Sequence, residues 1–261
     1  MKKLSTPPPK KPFNPAPIWF SLWIALLWLI VFDLDISFHT LLYGVEDMAE
    51  YFSRYTAPDF SELSRYLQLM AQTIATALWG TLIAFITAFI LAPFAARNLT
   101  PGRVTYRIAR ETLNLLRAMP DLLLALIFVA ALGLGPLPGA LALGVHTAGF
   151  LGKFFAENLE RIDKGVVEAV QATGASRSQV VMYAGWPSIL REAIGFTLYI
   201  MDRNVRMASV LGLVGAGGIG LALHDTLRLF KYDESAALIL VILSVILVFD
   251  YFSTWLRGKL T

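Results

Sequence analysis

Two stretches of this chain, residues 66–96 and 122–152, each run 31 residues without a charged side chain. A helix that crosses a bilayer needs roughly 20 mainly apolar residues, so runs of this length do not fit the core of a soluble domain. The second is divided by GLGPLPG (133–139), a Gly/Pro sequence that predicts a tight turn between two spans. Composition agrees: 56% of the residues are hydrophobic and 16% charged, a balance foreign to ordinary soluble domains. The expected fold is an all-α polytopic membrane protein with six transmembrane helices.

Charge orders those helices. Residues 1–17 are rich in Lys and Pro, cannot bury a core, and read as a disordered cytoplasmic tail. Residues 18–34 read as the first transmembrane helix. A signal peptide is the alternative, but Asp33 and Asp35 follow where a small-residue cleavage site would stand. From Asp33 to Arg65 there are seven acidic and two basic residues, which places the loop at 35–66 outside the cytoplasm. Within it, Leu41 to Arg54 suits an amphipathic helix on the membrane surface.

Residues 67–256 are expected to form a five-helix core with a cytoplasmic loop at about 156–188, and 257–261 to end in the cytoplasm. Its spans are read at about 67–95, up to 134 with an early interruption at Pro120, 140–155, 189–213 and 236–255. Of the 22 Lys and Arg residues, 16 then fall in cytoplasmic segments, four outside and two within the fifth span. Both termini are therefore expected in the cytoplasm. The basic pI of 9.1 does not indicate nucleic acid, because the basic residues sit in short loops and set topology. There is no cysteine, and His39, His146 and His224 are too scattered for a metal site.

Within the second cytoplasmic loop, Glu168 to Pro187 reads EAVQATGASRSQVVMYAGWP. Asp163 is placed to cap a short helix with Val166, Val167, Ala169 and Val170 on its apolar face. Gly174 stands where a helix stops through the left-handed conformation. Ser176 and Gln179 have capping-box spacing for a second short helix, which Pro187 is expected to end. The pattern predicts a rigid helix-turn-helix knob on the cytoplasmic face. A plainer alternative has Glu168 merely pairing with Lys164 on the helix, worth ~0.2–0.5 kcal/mol.

This segment resembles the EAA signature of ABC importer permeases, EAA-x3-G-x9-I-x-L-P. Glu168, Ala169, Gly174 and Pro187 match, while Val170, Ala184 and Trp186 depart from it. NVRMASVLGLVGAGGIG (204–220) and LRAMPDLLLALIFVAALGLGP (116–136) are similar to the phosphonate-importer permease subfamily, and the likeness covers roughly residues 60–256. The resemblance implies a type I importer permease in the cytoplasmic membrane that takes phosphonate, phosphite or a related small oxyanion. It also implies a second copy of the chain, two ATP-binding subunits that carry ATP and Mg, and a periplasmic or lipid-anchored substrate-binding protein. Glu168, Ala169, Gly174, Ala175, Ser176, Arg177 and Pro187 are then the residues that meet the ATPase. No cofactor is expected in this chain, and no nucleophile–base pair, ATP-binding lysine motif or metal cluster gives it chemistry of its own.

Asp202, Arg203 and Arg206 fall inside the fifth span, where each charge costs ~2.5–3.5 kcal/mol at a helix centre. Asp202 and Arg206 are spaced to pair. The arginines either set helix packing or line an anion pathway, since guanidinium matches phosphate-like oxygens in a forked geometry. GAGGIG (215–220) has the form of a dinucleotide fingerprint but lacks a βαβ setting. Gly212, Gly215, Gly217, Gly218 and Gly220 are read instead as close helix packing or an unwound, cavity-lining backbone. Arg117 and Asp121 flank Pro120 and predict a kink closed by a local ion pair. His146 reads as a polar residue that satisfies a neighbouring helix. A methionine permease, or a stand-alone channel or secondary transporter, remains the alternative assignment; the latter has no need of a knob.

Overall fold

The structure, a computed structural model, describes residues 15–33 and 38–259, and every regular element among them is helical. Most of the expected N-terminal tail and the last two residues lie outside the described residues. The chain divides into two units, Met1–Arg54 and Tyr55–Thr261. The first holds α1 (Ala16–Asp33) and α2 (Phe38–Ser53). α1 buries none of its residues, and at 18 residues it is about 27 Å long, close to the hydrocarbon thickness of a bilayer. α2 falls within the acidic loop where a surface helix was expected.

The second unit is built on α3 (Leu63–Ala95) and α6 (Pro136–Glu160). Along α3 the buried positions Ala77, Gly80, Ala84, Ala88, Ala92 and Ala95 recur every three or four residues. In lipid there is little hydrophobic drive between helices, so small residues that admit close backbone approach hold them together. Gly80 meets Leu143 and Gly144 meets Ile83 in that way. The inner faces then fill with Met70, Leu143, Leu151, Phe155 and Leu159, all almost wholly buried.

Around this pair lie α4 (Arg103–Ala118), α5 (Asp121–Leu132), α9 (Trp186–Gly212), α10 (Gly218–Arg228) and α11 (Tyr232–Gly258). Four helices, α1, α3, α6 and α11, are long and apolar enough to cross a membrane, and α4 with α5 makes a fifth if the pair is one span. α9 has the length, 27 residues, but its charges at Arg191, Glu192, Asp202, Arg203 and Arg206 make it less apolar than those four. Of the six crossings expected, four plain helices and one broken pair are thus apolar enough to span, and α9 stands where the remaining one was expected.

The interruption expected at Pro120 is present, and it is sharp: α4 and α5 meet at Met119–Pro120 with a bend of 85°. Pro120 has no N–H to donate and cannot continue the α4 ladder. α4, expected as a cytoplasmic loop, is a helix that lies along α6, with Leu113 and Arg117 against Gly149 and Gly152. The turn at 133–139 is also shorter than expected. Gly133 and Gly135 turn the chain at positive φ, and Pro136 and Pro138 lie inside α6, where a proline in the first turn leaves no missing bond.

Candidate functional site

The expected knob comprises α7 (Lys164–Ala172), α8 (Arg177–Val180) and the turn between them. The Asp163 carboxylate accepts from the Gly165 N–H at 2.7 Å and starts α7. Gly174 turns the chain at φ +79°, which costs an L-residue roughly 1–2 kcal/mol. Ser176 and Gln179 form the capping box that starts α8, with the Ser176 N–H donating to Gln179 Oε1 at 2.7 Å. Glu168, Ala169, Gly174, Ser176 and Arg177 are exposed, and Ala175 is half-buried against the core. The Glu168 carboxylate forms no ion pair with Lys164 among the described residues.

Pro187 does not end the second helix. α8 passes through one π-helical turn, Val181–Gly185, directly into α9, so an unbroken helical path runs from Arg177 to Gly212. The π turn widens the ladder just before Pro187, which then sits in the first turn of α9, where its absent N–H is harmless. Trp186 anchors the join. Its ring stacks on Phe89 of α3 at 4.1 Å and meets Phe155 of α6 edge-on at 5.5 Å. Ala184 is buried and Val170 packs on the same core. All three departures from the EAA pattern thus face inward and leave the exposed face of the knob unaltered.

Beneath the knob, polar bonds tie together the ends of α3, α4 and α6. Glu160 Oε1 accepts from the Arg97 N–H at 2.9 Å and lies 2.8 Å from Arg110 Nη2. Arg110 Nε donates to the Ala95 carbonyl at 2.9 Å, and Asn98 Nδ2 donates to the Leu159 carbonyl at 2.7 Å. Arg97 Nε donates to the Tyr106 hydroxyl at 3.0 Å, a bond that raises the Arg97 guanidinium above its ordinary value. Composition gave no pointer to this latch, whose carboxylate and arginine stand far apart in sequence.

The intramembrane charges separate into two groups. Asp202 pairs with Arg206 along α9, its Oδ2 accepting from the guanidinium, while its Oδ1 is buried without a hydrogen bond. Arg203 turns to α5 and α6. Its Nη2 lies 3.9 Å from Asp121 Oδ2 and 3.3 Å from His146 Nε2, and its guanidinium covers the Phe150 ring at 5.3 Å. His146 Nδ1 is 2.8 Å from the Met119 carbonyl at the α4–α5 break. A carbonyl can only accept, so Nδ1 carries the proton and Nε2 is left as the acceptor for Arg203.

Asp121 therefore pairs across helices with Arg203, and the expected local pair with Arg117 is absent from the ion pairs of the described residues. The bend separates Asp121 from Arg117, whose guanidinium lies instead over the Phe150 ring, 5.6 Å from its centroid. Two guanidinium groups thus share one ring with one carboxylate, midway along α6. The excess is positive, and the Arg203 side chain keeps 29% of its surface open. His146 reads from sequence as a lone polar residue, and only the fold brings Phe150, Arg117, Asp121 and Arg203 together beside it.

The glycines form the opposite corner. α9 stops at Gly212, and the chain turns through Gly215, Gly217 and Gly218, all at positive φ, into α10. A Cβ on Gly220 would lie 1.9 Å from the Ser209 carbonyl oxygen, and one on Gly212 would lie 2.6 Å from Gly220 Cα. The backbones of α9 and α10 touch there. The Gly215 carbonyl also accepts from the Gly135 N–H at 3.0 Å, which joins this turn to the start of α6.

A helical membrane bundle with a capped, outward hairpin at one end and charges within its spans has the build of a transport permease. Residues 84–261 match the family described as the binding-protein-dependent transport system inner membrane component, and the chain belongs to that family. It is 42% identical over 218 residues to the phosphite transport system permease protein PtxC of Stutzerimonas stutzeri, a match covering 84% of this chain and 79% of that one. It is 38% identical over 248 residues to the putative phosphite transport system permease protein HtxC of the same organism, with 95% and 86% covered. Among solved structures, an inward-facing MetNI methionine ABC transporter superposes with a TM-score of 0.59 at 20% identity, over 75% of this chain and 94% of that one. The fold is that of the type I ABC importer permeases.

Proposed function

We propose that this chain is the translocation subunit of an ATP-driven importer for phosphite, phosphonate or a related small oxyanion. The observation that carries the anion reading is the positive excess at Phe150, where Arg117 and Arg203 converge and Asp121 supplies the one carboxylate. Guanidinium groups offer forked donors that fit tetrahedral oxyanions. The relatives PtxC and HtxC, named as phosphite permeases, support the same substrate class. The likeness to the methionine transporter is one of fold alone and gives methionine no comparable support.

On this reading two copies of the chain pair in the inner membrane with both termini in the cytoplasm. Each presents Glu168, Ala169, Gly174, Ala175, Ser176 and Arg177 to an ATPase subunit that binds ATP and Mg, and a separate binding protein delivers the anion from outside. Pro187 serves the knob indirectly, by starting α9 behind it. The unbroken path from Arg177 to Arg206 gives ATP-driven motion a stiff route to the charged residues. The test is phosphite uptake by proteoliposomes holding the permease, its ATPase and its binding protein. Arg203→Gln is expected to reduce uptake at least tenfold, equivalent to about 1.4 kcal/mol, with ATP hydrolysis still present. Unchanged uptake in both Arg203→Gln and Arg206→Gln would assign the arginines to packing and refute the pathway.

A further inference from the structure

Where α3 hands over to α4, a cavity of about 490 Å³ is lined by Arg97, Thr100, Gly102, Arg103, Tyr106 and Arg107. Three of these six carry guanidinium groups and none carries a carboxylate. Arg97 is held in place by the Tyr106 hydroxyl and covers its ring at 5.3 Å. Arg103 and Arg107 are exposed and form no ion pair among the described residues. The nearby carboxylate of Glu160 is already engaged by the Arg97 N–H and Arg110, and Glu111, one turn past Arg107, pairs with neither arginine. The cavity therefore holds uncompensated positive charge.

A second observation comes from α4 itself. Val104, Ile108 and Leu115 are 71%, 63% and 62% exposed and fall on one helical face. Val104 and Ile108 each directly follow an arginine of the cavity, so an aliphatic strip begins where the basic pocket ends. A soluble anion would satisfy the pocket and leave the strip in water. An acidic protein segment without apolar side chains would leave it bare as well. An amphiphile with an anionic head and acyl chains satisfies both.

We infer that this pocket binds the phosphate headgroup of an anionic phospholipid of the cytoplasmic leaflet, with an acyl chain laid along Val104 and Ile108. Basic pockets beside membrane helices on the cytoplasmic side suit such headgroups, and each arginine near an anionic surface strengthens binding about fivefold. The site lies on α4, whose Arg110 joins the latch under the knob, so bound lipid would brace the base of the knob against the membrane. It is separate from the anion site at Phe150 and does not depend on the substrate assigned there.

The experiment is a titration of the purified full-length permease in detergent with phosphatidylglycerol, phosphatidylcholine and inorganic phosphate, read by thermal melting and by lipid retained in native mass spectrometry. Phosphatidylglycerol is expected to raise the melting temperature and remain bound, and the other two to do neither. Arg103→Gln with Arg107→Gln should weaken phosphatidylglycerol binding about thirtyfold. Arg161→Gln with Lys164→Gln, which removes the same charge elsewhere on the cytoplasmic side, should leave it unchanged. Val104→Asn keeps every arginine and should still weaken the lipid. Equal phosphatidylglycerol affinity in the Arg103/Arg107 variant would overturn the site. Stabilisation by inorganic phosphate to the same degree would make it a soluble-anion site, and an equal loss in the Arg161/Lys164 variant would reduce it to diffuse surface charge.

Discussion

Gly149→Ala tests the packing that positions the charged site. Gly149 lies where α4 crosses α6, and a Cβ built there would stand 2.6 Å from Arg117 N, 2.7 Å from Leu113 O and 3.0 Å from Arg117 Cα. All three are backbone atoms, so no rotamer change relieves the clash. Carbon contacts settle near ~3.5 Å, so α4 has to retreat by roughly 0.5–1 Å. Overpacking on that scale costs about 1–3 kcal/mol. Gly195 on α9 is the control, because a Cβ there meets nothing within 4 Å. Alanine at 195 should gain up to about 1 kcal/mol of helix propensity. At about 2–4 °C per kcal/mol for a chain of this size, Gly149→Ala should lower the melting temperature in detergent by several degrees. Gly195→Ala should hold or raise it. Phosphite uptake should fall with Gly149→Ala alone, since the retreat carries Arg117 away from Phe150. Identical melting curves for the two variants would show that α4 does not press on α6 as described.

Two further substitutions bear on the knob. Gly174→Pro imposes φ near −65° on a residue standing at +79°, so the permease should insert normally but lose uptake and substrate-stimulated ATPase activity. Normal stimulation in that variant would remove the knob from the coupling route. Trp186→Leu restores the residue of the EAA pattern but removes the stack on Phe89 and the edge contact with Phe155, and should cost about 2–4 kcal/mol in unfolding of the detergent-solubilised protein. A loss below about 0.5 kcal/mol would mean that the indole does not anchor the join.

What could be read without the fold was whatever depends on neighbours in sequence. The capping residues Asp163, Ser176 and Gln179 and the left-handed Gly174 act within a few residues of one another, and all stand where local rules place them. Asp202 and Arg206 pair because a helix puts i and i+4 on one face. Local rules fail where a distant partner decides the outcome. Arg117 and Asp121 also have that spacing, but the 85° bend between them cancels it, and Asp121 finds Arg203 instead. Pro187 reads as a stop in sequence because a proline inside a helix breaks it. A single π-helical turn placed it at a helix start, and Phe89 and Phe155, remote in sequence, hold Trp186 in that geometry.

The same arrangement makes Trp186 a pivot. From Arg177 to Trp186 the helical path spans about 13 Å, and from Trp186 to Arg203 about 26 Å, at 1.5 Å per residue. A rigid tilt about Trp186 that moves the knob tip by ~1 Å therefore carries Arg203 by ~2 Å. In a tilt confined to α9 the partners of Arg203 stay behind, because Asp121 belongs to α5 and His146 and Phe150 to α6. Their contacts with Arg203, at 3.3 Å to His146 and 3.9 Å to Asp121, have little slack against such a shift. The Asp202–Arg206 pair lies wholly on α9 and survives the same tilt intact. One pair of charges is thus built to part when the helix moves and the other to stay together. On the proposed coupling route the mobile one is where the anion would be exchanged, with Arg203 held by Asp121 in one position of α9 and freed for an oxyanion in the other.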